Sequence, residues 1–338
     1  MVLPVYSSTG GLIIDDIRYQ DGTEERDVLG GAGVYAIYGM RLWHPSVRSN
    51  AIGYIVQQGF DHPRAMTKQL ESLGLSLIPY DHADKHTTRG WNYFGPDDHR
   101  DFEYQYPIIH TVPAHFPDAW IQSVRMLHII SSPARAISIV RAWRERESSN
   151  SQSDTLTPTQ FIWEPVPWSC LAEEWEAFRE AASYIDVVSP NHEEAASLLG
   201  ASAADQIPAE ECAQRLREAT HKVVVIRTGK KGCCVATKDQ MQWVPAYWEQ
   251  MDHVRDVTGA GNTFCGGFAV GWVESRQDPV EACLYGSVSA SFAVEQIGTP
   301  RYQPPSGAEE EEQWNDGPSP QERLQQLRLR MNSEKRIE

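Results

Sequence analysis

The sequence lacks any apolar run long enough to cross a bilayer, and residues 1–5 do not combine a basic segment with an apolar core. A membrane-spanning helix needs about 20 mostly apolar residues, and a secretory leader needs both of those parts. We therefore expect no membrane partner for this protein and a cytoplasmic location.

Cysteine is scarce, and the spacing of the cysteines matches no common zinc-binding or disulfide pattern. The chain has 6 cysteines, at positions 170, 212, 233, 234, 265 and 283, and none of them forms a Cys-x-x-Cys pair. Zinc sites and disulfide frameworks usually show such spacings, so neither is expected and a reducing compartment is the default. The adjacent Cys233 and Cys234 are expected to point to opposite faces of one strand.

Positive charge is also in deficit. Lys and Arg number 30 against 46 for Asp and Glu, which gives a formal net charge of -16 at pH 7. A surface of that sign repels nucleic acid and acidic lipid, so we expect neither as a partner. Part of the acidic excess lies in the run 309–312, which we expect on a solvated tail.

The middle of the chain alternates between apolar strands and helices. The expected strands lie near residues 126–130, 161–163, 184–188 and 223–226. This alternation predicts a parallel sheet with helices on both faces, and ligands of such sheets bind beyond the carboxyl ends of the strands. Residues 144–158 are rich in Ser, Asn, Asp and Arg, and we expect them to form a surface loop.

The most informative stretch is 256–262, Asp-Val-Thr-Gly-Ala-Gly-Asn, which continues into an apolar segment that predicts a buried helix. Small residues allow a tight turn, and the first amides of a helix carry unpaired N–H groups and a partial positive charge. The stretch therefore suits a phosphate or a developing oxyanion. A helix that merely packs tightly against a sheet is the alternative interpretation.

This stretch resembles the C-terminal signature Asp-Thr-x-Gly-Ala-Gly-Asp of the pfkB, or ribokinase-like, family of small-molecule kinases, and it is most similar to the fungal maintenance-of-killer type members. The resemblance implies an α/β fold in residues 1–302, a three-layer α/β/α sandwich with a mostly parallel central sheet. It also implies a small β-strand lid at about 18–28 and 85–106. ATP and Mg²⁺ are the implied cofactors, a small-molecule hydroxyl the implied acceptor, and a homodimer through the lid the implied assembly.

Residues 303–338 lie beyond the resemblance and form an acidic and polar tail with a short helix. Residues 319–322 have the pattern of a capping box with Pro at the first helical position. Leu324, Leu327 and Met331 then make a thin apolar stripe. We expect this tail helix to dock on the body of the protein, with docking on a partner as the alternative.

In this family the Gly-Ala-Gly amides surround the transferred phosphoryl group, and the final Asp is the catalytic base. Gly259, Ala260 and Gly261 match, whereas Asn262 stands in the place of the base. A carboxamide cannot accept a proton, and general base catalysis is typically worth about 10² to 10⁴ in rate. Phosphoryl transfer nevertheless depends mostly on positioning and charge neutralisation, so Asn262 can still orient the acceptor hydroxyl.

Two hypotheses stay open. The chain is an ATP-dependent kinase that acts on a hydroxyl of a sugar, a nucleoside or a related small molecule, or it is a catalytically impaired relative that binds nucleotide or metabolite and works through protein partners. In the first case we expect Asn262→Asp to restore much activity. Neither hypothesis identifies the acceptor, because Tyr35 stands where the family often has Asn.

The resemblance also implies the remaining site residues. On the acceptor side they are Asp15, Gly30, Gly31, Gly33 and Tyr35. On the nucleotide side they are Thr228, Gly229, Gly232, Asp256, Thr258, Ser287 and Ala290. Asn191 and Glu194 match the motif that helps to position Mg²⁺ and the phosphates.

Ordinary local structure also explains several of these residues. Asp15 lies at a strand-to-turn boundary, where Asp is common. Asn191 and Glu194 have the spacing of a helix cap with Glu in the first turn. A plain hairpin turn accounts equally well for Gly229 and Gly232.

Overall fold

The computed structural model describes residues 2–94, 100–150, 157–201, 207–305, 307 and 311–334. The strands are β1 (Tyr6–Ser8), β2 (Ile13–Tyr19), β3 (Glu24–Gly30), β4 (Ile52–Gly59), β5 (Ser76–His82), β6 (Arg89–Phe94), β7 (Arg100–Tyr104), β8 (Met126–Ser131), β9 (Gln160–Pro165), β10 (Val187–Val188), β11 (Val223–Arg227), β12 (Cys233–Ala236), β13 (Met241–Val244), β14 (Tyr302–Gln303) and β15 (Gln313–Trp314).

The α-helices are α1 (Ala32–Arg41), α2 (Arg64–Ser72), α3 (Asp118–Ser123), α4 (Pro133–Asn150), α5 (Trp175–Ser183), α6 (His192–Leu198), α7 (Ala209–Thr220), α8 (Ala260–Glu274), α9 (Pro279–Val294) and α10 (Pro320–Glu334). Among the helices of the described residues, none has the length and apolar character that crossing a bilayer requires.

The central sheet contains nine of the described strands, in the order β13-β12-β11-β10-β9-β8-β1-β4-β5. Neighbouring strands from β11 to β5 are parallel, and β12 and β13 add an antiparallel hairpin at one edge. Strands such as Val223–Arg227 are continuous apolar runs because both faces of a parallel sheet are covered. The predicted fold class is confirmed.

Helices bury both faces of this sheet. One apolar core includes side chains of α1, α2, α8, α9 and α10, and the other includes side chains of α3 to α7. Cys233 lies in the first core and Cys234 in the second, both without exposed surface. The expected alternation of the two cysteines across one strand is confirmed.

A second sheet of four described strands has the order β3-β2-β6-β7. Its strands overlap the segments 18–28 and 85–106. Asp16 accepts hydrogen bonds from Nη1 of Arg89 at 2.8 Å through both carboxylate oxygens and thereby ties β2 to β6. The covering of a bound acceptor by this sheet stays a prediction.

The expected loop at 144–158 is wrong for its first half, because α4 continues to Asn150. Glu147 stabilises this last part of the helix: it pairs with Arg144 at 2.5 Å and accepts the amide hydrogen of Thr159 at 2.8 Å. Polar contacts of this kind stabilise a helix without producing the apolar periodicity by which a helix is recognised in a sequence. Residues 151–156 lie outside the described residues.

The tail docks on the body, as expected. Leu324, Leu327 and Met331 of α10 are buried, and α10 packs on α9. The expectation of a solvated acidic run is wrong for Glu312, which pairs with the fully buried Arg41 at 2.7 Å. Glu311 is exposed, and residues 308–310 lie outside the described residues.

Candidate active site

Polar side chains converge where three neighbouring strands of the central sheet end. Glu164 lies near the end of β9, and Arg227 is the last residue of β11. Asn262, in the first turn of α8, contacts Glu164. Ligands of parallel sheets bind at this edge, so the geometry agrees with the location predicted from the sequence.

The glycine turn before α8 is built by its own side chains. Gly259 has a φ of 73°, which is strained for other residues, and it is the N-cap of the 15-residue helix. Asp256 Oδ1 accepts hydrogen bonds from the amide and the hydroxyl of Thr258 at 2.8 and 2.7 Å. Asp256 and Thr258 therefore hold the turn, and their contact with a cofactor stays a prediction.

The ring of Tyr35 lies against this turn. Tyr35 is buried, and a Cβ atom at position 259 would collide with its ring. The aromatic residue therefore occupies space directly beside the glycine turn. The effect of Tyr35 on the acceptor, in place of the Asn that the family often has, stays a prediction.

A cavity of about 440 Å³ lies beside the turn, with Ala260 and Gly261 in its lining, a volume typical of small-molecule sites. Its lining includes predicted residues from three separate segments: Gly229, Gly232, Ala260, Gly261, Ser287 and Ala290. Asn191 and Arg227 also line it, together with the rings of Tyr247, Trp248 and Phe264. Four of the seven predicted nucleotide residues, Gly229, Gly232, Ser287 and Ala290, thus line one space that is walled mainly by apolar groups, whereas Thr228, Asp256 and Thr258 are not part of its lining.

The residues predicted for the acceptor lie on β2, at the end of β3 and at the start of α1. Asp15 is the third residue of the seven-residue strand β2, so its interpretation as a strand-to-turn boundary is wrong. The carboxylate of Asp15 faces Gly30 so closely that a Cβ atom at position 30 would collide with it. Gly31, with a φ of 97°, and Gly33 pack against the backbone of residues 10–13, where side chains would not fit. The absence of a side chain at Gly30 therefore gives the Asp15 carboxylate room to pack there, and the other two glycines let α1 approach the backbone of residues 10–13.

Asp15 is electrostatically unusual. Burial raises the pKa of this carboxyl group to about 7, the charges of Asp16 and Asp256 act in the same direction, and a hydrogen bond with Asn92 opposes them. The raised pKa favours the protonated form, which can both donate and accept hydrogen bonds. Such a group is suited to recognising hydroxyls, which also do both.

Asn191 and Glu194 form a reciprocal capping box at the start of α6. Asn191 Oδ1 accepts the Glu194 amide hydrogen at 2.8 Å, and Glu194 Oε2 accepts the Asn191 amide hydrogen at 2.7 Å. Burial raises the pKa of Glu194, which the nearby Arg227 opposes. The capping interpretation is confirmed, and the contribution of the pair to metal binding stays a prediction.

The loop after β11 is a hairpin. The amide and the hydroxyl of Thr228 both donate to the carbonyl oxygen of Gly232 at 2.8 Å. Gly232 has a φ of 94° and lies against the backbone of residues 244–246. The hairpin explanation of these residues is confirmed, while Gly229 and Gly232 also line the cavity.

Three residues central to the site were missed by sequence reasoning: His128, Glu164 and Arg227. Glu164 is buried; its Oε1 contacts Nε2 of His128 at 2.6 Å and accepts a hydrogen bond from Nδ2 of Asn262 at 3.0 Å. Its Oε2 pairs with Arg227 at 3.0 Å. Burial alone would raise the pKa of Glu164, but Arg227, His128 and Asn262 lower it to about 2.

A partial signal for these residues exists in the sequence. Glu164 and Arg227 each stand at the end of an apolar run, where a parallel sheet presents its ligand-binding edge. His128 interrupts a run of apolar residues in a buried strand. Their mutual proximity depends on the order of the strands in the sheet, which the runs themselves do not specify.

His128, Glu164 and Cys265 also come close enough to suit a metal ion, with possible ligand atoms within 4.8 Å of one another. However, the guanidinium of Arg227 already supplies a positive charge to Glu164, and His128 and Asn262 both contact the same carboxylate oxygen, Oε1. We therefore assign this cluster as a buried ion pair with hydrogen bonds and not as a metal centre.

A model of the pfkB family carbohydrate kinases matches residues 28–304. The chain is 30% identical over 320 residues to an uncharacterized protein of Schizosaccharomyces pombe, which covers 88% of this chain and 86% of that protein. It is 29% identical over 318 residues to the protein MAK32 of Saccharomyces cerevisiae, again with 88% and 86% covered.

Solved structures of the same fold extend over most of the chain. Ribokinase from Giardia lamblia superimposes with a TM-score of 0.70 at 17% sequence identity, covering 88% of this chain and 95% of that chain. A likeness at this identity concerns the fold alone.

Proposed function

Because this chain belongs to the pfkB family of carbohydrate kinases, we propose that it transfers the γ-phosphoryl group of ATP to a hydroxyl of a sugar, a nucleoside or a related small molecule. One observation carries the proposal. The 440 Å³ cavity ends on Ala260 and Gly261, in the first turn of a 15-residue helix. A helix N-terminus stabilises phosphate charge, and the apolar rings around the cavity suit a nucleobase.

In the proposed reaction the acceptor oxygen bonds to the γ-phosphorus while the bond to the ADP oxygen breaks. The turn Gly259 to Gly261 stabilises the charge that develops on the phosphoryl oxygens. Asn262 orients the acceptor hydroxyl through its carboxamide oxygen, and the hydroxyl proton passes to a phosphate oxygen or to solvent. Asp15 holds another hydroxyl of the acceptor.

In this proposal two positive charges neutralise the phosphates, the guanidinium of Arg227 and a Mg²⁺ ion bound with ATP. Arg227 lines the cavity, and a Cβ atom at Gly261 would collide with its guanidinium, so it lies directly beneath the glycine turn. Carboxylate and amide oxygens suit Mg²⁺, which neutralises phosphate charge when bound with ATP. Glu194 uses Oε2 for the capping bond, so Oε1 can serve the ion directly or through water.

A second candidate function has its own support. The Asn262 amide is bonded to Glu164, and the Tyr35 ring lies on the glycine turn. Both features disfavour phosphoryl transfer, because the first engages the side chain at the position of the base and the second occupies space beside the glycine turn. On this reading the protein binds nucleotide or metabolite, transfers phosphate slowly or not at all, and works through protein partners.

Calorimetry with ATP and Mg²⁺, together with an assay of ADP formation over a panel of aldoses, nucleosides and cyclic polyols, tests these proposals. We expect Ala290→Phe, which fills the cavity, to weaken ATP binding by about 10-fold or more. The matched control is Ala119→Phe, at an exposed position of α3. We expect it to bind ATP like the wild type.

The possible outcomes separate the two functions. Acceptor-dependent ADP formation supports the kinase. ATP binding without turnover by any acceptor supports the second candidate. If the folded wild type binds neither ATP nor any compound of the panel, both functions are contradicted. Equal ATP binding by Ala290→Phe and Ala119→Phe contradicts the assignment of the cavity.

A further inference from the structure

The orientation of the Asn262 side chain is set by one hydrogen bond. Its Nδ2 lies 3.0 Å from Oε1 of Glu164. A carboxylate only accepts hydrogen bonds, and of the two ends of a carboxamide only the nitrogen donates. The opposite orientation would bring two acceptor oxygens together, so Glu164 turns the carboxamide oxygen of Asn262 away from itself.

Glu164 is in turn held by a chain of contacts that crosses the sheet. Nε2 of His128 lies 2.6 Å from its carboxylate and Nδ1 lies 2.8 Å from Ser8 Oγ, so His128 donates through Nε2 and accepts from the serine hydroxyl. Ser8 Oγ also accepts the amide hydrogen of Gly10 at 3.0 Å. This series of contacts therefore connects Gly10, against which Gly33 packs, with Asn262.

The positive charge of Arg227 already serves two buried carboxylates, Glu164 and, at 3.8 Å, Glu194. Glu164 pairs with Arg227 at 3.0 Å, and both side chains are largely buried. A second carboxylate at position 262 would lie within hydrogen-bond distance of Glu164. Two carboxylates that share such a site cannot both stay ionised without a large cost.

We propose that Glu164 is a positioning residue that presents the Asn262 carboxamide oxygen to the acceptor hydroxyl, and that positions 164 and 262 together accept only one carboxylate. The catalytic half of this inference rests on the proposed kinase function, and the structural half does not. Asn262→Asp alone should therefore fail to restore activity, in contrast to the expectation from the sequence.

A double-mutant cycle tests the inference with the variants Asn262→Asp, Glu164→Gln and Glu164→Gln/Asn262→Asp. We expect each single variant to lower the unfolding midpoint by about 5 °C or more, because one crowds two carboxylates and the other removes the nearer of the two counter-charges of Arg227. The double variant keeps one carboxylate and one amide. Its unfolding midpoint should therefore lie well above the value expected if the decreases of the two single variants were additive. In the assay its kcat should exceed that of either single variant by about 10-fold or more, with KM for ATP unchanged.

Glu180→Gln/Asn262→Asp is the matched control, because Glu180 is an exposed acid on α5. It should show the full loss of Asn262→Asp with no recovery. Additive midpoints in the cycle, or higher activity of Asn262→Asp alone than of the double variant, would overturn the inference. Recovery of the midpoint without turnover by any variant supports the pairing of Glu164 with Asn262 and counts against the kinase function.

Discussion

Asp15 combines burial with proximity to two other acids, and both raise its pKa to about 7. Its side chain packs against the glycine at position 30, where a Cβ atom would collide with the carboxylate. Strongly shifted pKa values of this kind cluster at binding and catalytic sites, which agrees with the role proposed for Asp15. A bound hydroxyl that donates to the ionised form would lower its pKa.

The pH dependence of stability should report this group. The pKa in the folded state, about 7, lies above the unfolded value, so the folded protein holds a proton that the unfolded chain releases. The contribution of Asp15 to stability is therefore full below about pH 4 and falls as the pH rises to about 7, by on the order of 4 kcal/mol. Asp15→Asn should remove this fall, as measured by urea unfolding across that pH range.

Asp84→Asn changes an exposed aspartate in the same way and serves as the control. Its stability should follow the wild-type dependence on pH. If Asp15→Asn also followed that dependence, the raised pKa of Asp15 would be contradicted.

At the scale of elements, the glycines of α8 are explained by close contacts between helices. A Cβ atom at Gly266 would collide with the backbone carbonyl of Ala36 in α1, and one at Gly271 would approach the backbone of Ala282 in α9. Small residues let these backbones touch, which offsets the unfavourable helix propensity of glycine. The position of α1, and with it the acceptor side, thus depends on α8.

Gly266→Ala should therefore destabilise the protein, although alanine favours a helix by about 1 kcal/mol. We expect the free energy of unfolding to fall by about 1 to 3 kcal/mol because the backbones must separate. Gly11→Ala is the matched control, since a Cβ atom there meets no other atom within 4 Å. Chemical denaturation of both variants measures the difference, and a gain in stability for Gly266→Ala would contradict this account.

For the whole molecule, the tail beyond the family match contributes to the stability of the body. The guanidinium of Arg41 has no exposed surface; it bonds to Glu312 at 2.7 and 2.8 Å and to the carbonyl oxygen of Leu73 at 2.7 Å. Arg323 of α10 is similarly buried and pairs at 2.5 Å with Glu295, the residue that directly follows α9. Both ion pairs join the tail to helices that also position the site.

Glu312→Gln should cost about 3 kcal/mol of unfolding free energy, since it leaves the buried charge of Arg41 without a counter-charge. Its exposed neighbour provides the control: Glu311→Gln makes the same change and should alter stability by no more than about 0.5 kcal/mol. Thermal and urea unfolding of the two variants can be compared directly. Equal stabilities would show that the tail is not anchored through Glu312.

The family and the fold class were both predictable, and both are confirmed. The signals that carried them are local: a Gly-Ala-Gly turn ahead of an apolar helix, and apolar strands alternating with helices. The capping box at Asn191, the hairpin at Thr228 and the docking stripe of α10 were equally readable. Each depends on residues within a few positions of one another, where backbone geometry alone determines which groups meet.

Contacts between distant segments were not readable in this way. Glu164 and Asn262 are 98 positions apart, and Arg41 and Glu312 are 271 positions apart. Which of the many acids meets which base depends on the order of the strands and on the packing of helices against them. The sequence by itself therefore determined the glycine turn, the helix caps and the family, because each of these depends on a local pattern. The carboxylate beside Asn262 and the ring of Tyr35 on the turn follow only from the tertiary structure, because folding brings these remote side chains into the same small volume.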